Sequence, residues 1–223
     1  EQYGFSIVED ASHALGATYL GKPIGSCQYS DITVFSFHPV KSITTGEGGM
    51  AVTNNQMLAN QMRLFAGHGI TKNSDLMNKE PDGEWYYQQI ELGYNYRLSD
   101  IHAALGISQL KRLDEFVQRR SAIASVYDSS FEQLPLQTPL KYDDRQSAYH
   151  LYPVLLEESA AVDRKQLFTK LREKGIGAHV HYIPVHAQPY YQAKGFKLGD
   201  FRNAENYYNK VISLPCFPLL KVE

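Results

Sequence analysis

The sequence predicts an α/β chain, and three observations predict it. Short apolar runs at residues 5–8, 32–37 and 49–53 have the length of strands, and the first ends in the acids Glu9 and Asp10. After the third run, apolar residues return at helical spacing in Leu58, Met62 and Phe65. The alternation of strand and helix resumes beyond Pro139, the pattern of sheets covered by helices.

Each element has its own signal. Phe5-Ser6-Ile7-Val8 is a buried strand that delivers a carboxylate at its end, and Ile32-Thr33-Val34-Phe35-Ser36-Phe37 is the next strand. Thr53-Asn54 caps a helix that Gly67 stops. Residues 67–95 mix Gly, Asn, Asp and Pro with Trp85, Tyr86 and Tyr87 and keep no period, which predicts a long functional loop or hairpin. Ser99 opens a long helix with Ile107, Leu110, Leu113 and Val117 on its apolar face, expected to run to about Leu134 and to link two domains. Leu134-Pro135 and Thr138-Pro139 mark the boundary, giving domains at 1–133 and 134–223. The second domain is small and α/β: a strand at 148–156, then a helix from Asp163 with Leu167, Phe168 and Leu171 facing inward and Gly175 as its stop. A strand at 176–182 and a helix from Ala204 to Ile212 complete it.

Composition sets outer limits. With 223 residues, 43% hydrophobic and 21% charged, the chain has ample material for a core. A formal net charge of −2 gives no electrostatic reason to expect nucleic acid or an anionic membrane as partner, so any affinity for phosphate is local. Cys27 and Cys216 form no CxxC pair, and neither a disulfide framework nor a zinc ribbon is indicated. No apolar stretch approaches the roughly 20 residues that span a bilayer, and the start carries no secretory signal, which makes the cytoplasm the expected compartment. Glu1-Gln2-Tyr3-Gly4 leads straight into a strand, as though the chain begins inside a domain.

The chemistry concentrates around Lys41. This lysine follows the strand in Ser36-Phe37-His38-Pro39-Val40-Lys41 and precedes Thr45-Gly46-Glu47-Gly48-Gly49. Taken singly, a lysine after a strand is a solvated surface residue, and an Asp at a strand end is a turn or cap. An acid-ended strand, a second strand, a lysine and a Gly-rich turn in close succession are a more specific combination. Together they supply what pyridoxal phosphate (PLP) requires, an amine for its aldehyde and an anion to keep its pyridine nitrogen protonated. Gly46-Glu47-Gly48-Gly49 lacks the following Lys-Ser/Thr of a P-loop and the spacing of the dinucleotide fingerprint, so its glycines are assigned to a tight turn.

Four segments carry a family resemblance. Glu9-Asp10-Ala11-Ser12-His13-Ala14, Ser36-Phe37-His38-Pro39-Val40-Lys41, Gly46-Glu47-Gly48-Gly49 and Gly93-Tyr94-Asn95-Tyr96-Arg97-Leu98-Ser99 resemble the motifs of the DegT/DnrJ/EryC1/StrS aminotransferases. Within that family, His150-Leu151-Tyr152-Pro153 and His181-Tyr182-Ile183-Pro184-Val185-His186 are similar to the branch that transaminates a UDP-linked keto-sugar in pseudaminic acid biosynthesis. The resemblance covers essentially the whole chain. It implies a type I PLP-dependent aminotransferase fold, represented by the later part of the large cofactor domain and a small C-terminal domain. A complete member carries a substantial N-terminal portion absent from this sequence.

What the resemblance implies for function follows residue by residue. Lys41 is the catalytic amine and proton shuttle, Asp10 the partner of the pyridinium, and Ser36 a phosphate ligand. A dehydratase branch carries His in place of the lysine, and Lys41 argues against it. His13 contacts the cofactor; a satisfied buried histidine is the other reading. Asn95 reaches the cofactor phosphate and Arg97 an anionic group, both in the site of a neighbouring subunit of a homodimer; an ordinary helix-entry loop is the alternative. His181, Tyr182 and His186 bind the sugar nucleotide, with interdomain packing as the alternative. His179-x-His181 with His186 also invites a zinc reading, but the sequence offers no nearby acid to complete the set, so no metal is assigned. The expected reaction is transfer of an amino group from glutamate to the UDP-linked keto-sugar. A different class of function, an incomplete module that binds without catalysis, is the second reading.

Overall fold

The computed structural model describes residues 3–221. Two compact units follow one another, dividing between Leu113 and Asp114.

The first unit is built on a three-stranded sheet. Strands β1 (Val8–Asp10) and β4 (Ile32–Ser36) run parallel, with Asp10 opposite Val34, and β5 (Gly49–Val52) pairs antiparallel with β4, Ser36 opposite Gly49. Between β1 and β4 lies a small hairpin of β2 (Thr18–Tyr19) and β3 (Lys22–Pro23). Alternation decides which face of β4 is covered: Thr33 and Phe35 are buried while their neighbours are half exposed. Thr33 is fully buried because its hydroxyl donates to Glu9 Oε2 at 2.8 Å, which removes the cost of an unmet polar group.

The first strand begins later than the expected 5–8, and that run is exposed rather than buried, Phe5 at 69% and Val8 at 63%. The N–H of Ile7 donates to the Asp31 side chain at 2.7 Å and its carbonyl accepts the Asp31 N–H at 2.9 Å, so the regular ladder starts only at Val8. Helix α1 (Gln56–Ala66) is capped one residue after the expected Thr53-Asn54, by Asn55, whose side chain accepts the N–H groups of Met57 and Leu58. Gly67 closes it as expected. Residues 67–95 form a hairpin of β6 (Ile70–Thr71) and β7 (Gln88–Gln89), with a 3₁₀ turn at Ser74–Leu76.

Ser99 caps α2 (Asp100–Leu110), its hydroxyl accepting the His102 N–H at 3.3 Å. The helix then breaks, contrary to the expected single run to about Leu134. The Arg112 N–H donates to Gln109 three residues back, which turns the chain before α3 (Leu113–Phe131) begins.

The expected boundary at 133/134 also shifts, because α3 lends Ile123 and Ala124 to the core of the second unit. Its sheet is antiparallel: β8 (Leu136–Gln137) and β11 (Val211–Leu214) flank β10 (Tyr152–Leu156). Tyr152, Val154 and Leu156 alternate inward and meet Ile123, Ala124, Ala178 and Ile212. A two-residue strand β9 (Arg145–Gln146) precedes β10, which starts at Tyr152 and not at 148 because Tyr149 takes a left-handed φ of 47°. Helix α4 (Arg164–Glu173) has a complete capping box between Asp163 and Gln166, and Gly175 follows it at φ 77°. The expected strand at 176–182 reduces to one bridge, His179 to Ser213, since the Ala178 N–H is already taken by Ile176 in a tight turn. Short α5 (Pro189–Gln192) precedes α6 (Arg202–Lys210). The expected helix to Ile212 ends at Lys210, because Val211 and Ile212 are fully buried in β11.

Candidate active site

Lys41 stands on a loop that satisfies its own backbone. Beyond β4, the Phe37 N–H donates to Gly48 at 2.9 Å and the Thr45 N–H donates to Phe37 at 3.0 Å, closing residues 38–44 into a turn. The Lys41 N–H donates to His38 at 2.9 Å, and the Thr44 hydroxyl donates to Phe37 at 3.1 Å while accepting the Gly46 N–H at 2.9 Å. Ser42, Ile43 and Thr45 are buried beneath the turn and Lys41 is half-buried. Gly46 holds φ 83° and Gly48 φ 146°, conformations that disfavour other residues, which bears out their assignment to a tight turn.

Because β1 and β4 are parallel, Asp10 and Ser36 both lie at carboxyl ends of strands, on the edge where open α/β sheets bind ligands. Asp10 is exposed, and its Oδ1 accepts both the Ser12 N–H (3.0 Å) and the Ser12 hydroxyl (2.5 Å). The Ser12 hydroxyl and then its amide hold the Asp10 carboxyl below the usual range, with His13 and Lys41 adding smaller pulls the same way. Burial lowers Lys41 from the usual lysine value, against an opposing pull from Asp10. Burial lowers His13 too, with Lys41 reinforcing and Asp10 opposing. Asp10, His13 and Lys41 are thus one electrostatic cluster: a carboxylate kept ionised, a lysine with an enlarged neutral fraction, and an imidazole biased to its neutral form.

The remaining expected residues fall in two groups. Ser36 belongs to the lysine segment, where its hydroxyl accepts the His38 N–H at 3.4 Å. Asn95 bridges to Gly67 through its backbone, and its side-chain oxygen accepts Arg97 Nε at 3.2 Å and Nη2 at 3.0 Å, so these two exposed side chains act as a pair. His181, Tyr182 and His186 belong to the second unit. His181 Nδ1 lies 2.8 Å from the buried Ser213 hydroxyl, and Tyr182 is exposed. His186 is only 7% exposed, its Nε2 lies 2.7 Å from Glu205 Oε1, and its ring rests on Phe201. Glu205 also accepts the Gly199 N–H at 2.7 Å, and that bond, followed by His186, holds its carboxyl below the usual range.

Glu205 corrects the premise that no acid lies near these histidines: the fold brings one from 19 residues away. Even so, among the described residues no three His, Cys, Asp or Glu side chains gather to hold a metal ion. Ser12 was also missed as a functional residue, although an Asp followed two residues later by Ser is a legible turn signal. Among the described residues no helix is long and apolar enough to cross a membrane.

The chain is similar to known proteins along nearly its whole length. The chain is 43% identical over 222 residues to the spore coat polysaccharide biosynthesis protein SpsC of Bacillus subtilis, covering 98% of this chain and 56% of that one. It is also 43% identical over 219 residues to the UDP-4-amino-4,6-dideoxy-N-acetyl-beta-L-altrosamine transaminase of a Campylobacter jejuni strain, covering 97% and 54%. The PLP form of Spr1654 from Streptococcus pneumoniae superposes with a TM-score of 0.85 at 32% identity, covering 97% of this chain and 54% of that one. The chain therefore spans about half the length of the curated relatives it matches. The DegT/DnrJ/EryC1/StrS aminotransferase family model matches residues 1–223, the whole sequence, and the chain belongs to that family.

Proposed function

We propose that the protein containing this chain is a PLP-dependent aminotransferase that moves an amino group from glutamate to a UDP-linked 4-keto-6-deoxy amino sugar. The observation that carries this reading is the parallel pairing of β1 and β4, which puts Asp10 and the start of the Lys41 segment at one sheet edge, where Asp10, His13 and Lys41 interact electrostatically. The cluster fits the cofactor: an ionised carboxylate suits a protonated ring nitrogen, and a half-buried amine with a lowered pKa suits an aldehyde. When bound, PLP supplies the aldehyde for covalent capture of amines and the electron sink for the adjacent carbon.

The chain's own residues have these roles in the proposal. Lys41 holds and returns a proton at its Nζ, a task helped by partial burial, which raises its neutral fraction. Asp10 uses its carboxylate to keep a proton on the ring nitrogen, and Ser12 keeps that carboxylate charged. His13 offers an uncharged ring that does not compete electrostatically with Lys41. Ser36 donates to phosphate, as does the Asn95 amide, whose oxygen is occupied by Arg97. Arg97 meets an anionic group, and Asn95 and Arg97 complete the site of a second copy in a homodimer. His181 and Tyr182 line the sugar-nucleotide side. His186, expected among the residues that bind the sugar nucleotide, is instead buried against Glu205, and its role here is to orient that segment from within. A nucleotide-activated sugar and glutamate are cytoplasmic metabolites, and the cytoplasm is the proposed compartment.

The substrate class rests on the two relatives at equal identity, of which one is named for a UDP-linked amino sugar and the other for a polysaccharide of the spore coat. The test uses the full-length protein loaded with PLP. Addition of L-glutamate is expected to release 2-oxoglutarate, and a UDP-4-keto-6-deoxy sugar is then expected to be converted to its amine. Cofactor binding without either half-reaction would contradict the proposal. Glutamate turnover with transfer only to keto-sugars lacking the nucleotide would move the substrate class.

A further inference from the structure

The lysine turn is held from behind by α2. Leu98, just ahead of the Ser99 cap, and His102 and Gly106, four residues apart on α2, form one ridge beside that turn. A Cβ placed on Gly48 would lie 2.8 Å from Leu98 Cδ1, one on Gly46 would lie 3.7 Å from His102 Cδ2, and one on Gly106 would lie 2.8 Å from Thr45 Cγ2. The ridge therefore follows the strip from Thr45 to Gly48.

Thr45 is the tightest point. It is 1% exposed, its hydroxyl donates to the Glu47 carbonyl at 2.7 Å, and its N–H closes the turn on Phe37. A Cβ on Gly48 would also come within 2.6 Å of the same hydroxyl. Thr45 thus lies between two glycines, with its hydroxyl and its amide both hydrogen-bonded.

We propose that Thr45, wedged between Gly48 and Gly106, is a positioning residue for Lys41, with the Leu98, His102 and Gly106 face of α2 as the backstop that sets where the lysine turn sits. The inference rests on Lys41 being the reacting amine. It also joins two pieces of the proposed machinery mechanically, because the same helix start carries the Asn95 and Arg97 loop at its head.

Gly106→Ala separates this account from a general effect on the helix. Alanine is the better helix former, so propensity alone predicts a small gain in stability and no change in catalysis. The wedge predicts that the new methyl displaces Thr45 and with it Lys41. In the full-length PLP-loaded enzyme, kcat is expected to fall about ten- to a hundredfold with both KM values within about twofold. The pH midpoint of the lysine–cofactor absorbance band is expected to move, and the rate at which an amine reagent labels Lys41 in the cofactor-free protein is expected to change. Thr45→Ser keeps the hydroxyl and deletes Cγ2, so the Gly106→Ala/Thr45→Ser pair exchanges one methyl for another and is expected to recover most of the loss. Folded Gly106→Ala enzyme with wild-type kcat and wild-type Lys41 labelling overturns the proposal. If Gly106→Ala does not fold, Thr45→Ser alone decides: a shifted Lys41 labelling rate supports the wedge, and an unchanged one overturns it. Borohydride capture of the cofactor on wild-type Lys41 is the control that separates failure of the wedge from failure of the function itself.

Discussion

The turn that carries Lys41 and the segment that carries His181 and His186 solve opposite problems with similar residues. In the first, backbone groups and small hydroxyls satisfy one another: Phe37 with Gly48 and Thr45, Thr44 with Gly46, Thr45 with Glu47. Lys41 is left over, half-buried and adjacent to a charged Asp10. In the second, the ring nitrogens are themselves the structural bonds, His181 to Ser213 and His186 to Glu205. The lysine turn closes without the Lys41 amine, although its His38 ring accepts the Val40 N–H at 3.4 Å and lies 3.9 Å from Glu47. A region whose titratable side chains do the closing leaves other residues, here Tyr182, facing outward.

Substitutions are expected to fall on either side of that difference. The largest effect belongs to Asp10→Asn, which keeps shape and removes charge: turnover is expected to fall about 10²- to 10³-fold, the scale of losing one preorganised electrostatic partner, while PLP still binds. The sign of its pH effect is fixed. Asp10 raises Lys41 toward its ordinary value, so without that charge the Lys41 midpoint drops further and the acid limb of the activity profile that depends on the neutral amine moves to lower pH. A pH–rate profile with an unmoved acid limb would break the electrostatic link between the two residues.

His186→Ala is expected to act on stability. Losing a buried ring and the partner of Glu205 should lower Tm by about 2–8 °C, with kcat little changed in the protein that remains folded. Thermal melts beside steady-state kinetics check it; a large kcat loss at unchanged Tm would move His186 into the chemistry. Glu205 has its folded pKa below the unfolded value, so its contribution to stability is present above the unfolded pKa and fades as pH falls through the folded one. The penalty of His186→Ala should shrink over the same acid range.

Two smaller effects sharpen the contrast. Ser12→Ala leaves Asp10 without the hydroxyl that lowers it most, so the carboxyl midpoint is expected to rise toward the ordinary aspartate value, visible in a carbon NMR titration of the cofactor-free protein. Asp10 is ionised near neutral pH either way, and turnover there should change little. Tyr182→Phe is expected to raise KM for the sugar nucleotide about two- to tenfold, the range of one hydrogen bond, with Tm and kcat unchanged. An effect on glutamate KM instead would reassign Tyr182 to the amino donor.

Much of this was legible in the sequence because it depends on local chemistry. Ser99, Asp163 and Gly67 marked helix ends through capping groups that act within three residues, and Gly46 and Gly48 marked a turn through their permitted φ. The placing of Asp10 and the Lys41 segment at one edge was legible because the first ends a strand and the second follows one, and parallel strands bring their ends to one edge. What failed depended on a local turn in one case and on partners remote in sequence in the others. The run 176–182 has strand composition but one ladder bridge, because the Ala178 amide is taken locally. Val211 and Ile212 continue a helical pattern yet are claimed by β10, and α3 belongs with the second core because of where Ile123 and Ala124 pack. Glu205 and Gly106 carry no signal of their own; their roles exist only once α6 meets the His186 segment and α2 meets Thr45.

The central claim is that Lys41 is the amine that carries the cofactor. The direct measurement is borohydride reduction of the full-length protein with PLP, followed by peptide mapping. The account predicts one phosphopyridoxyl adduct on the peptide containing Lys41, lost in Lys41→Ala and not regained in Lys41→Arg, whose guanidinium does not give up its proton. A reduced adduct on any other lysine, with Lys41 unmodified, would contradict it.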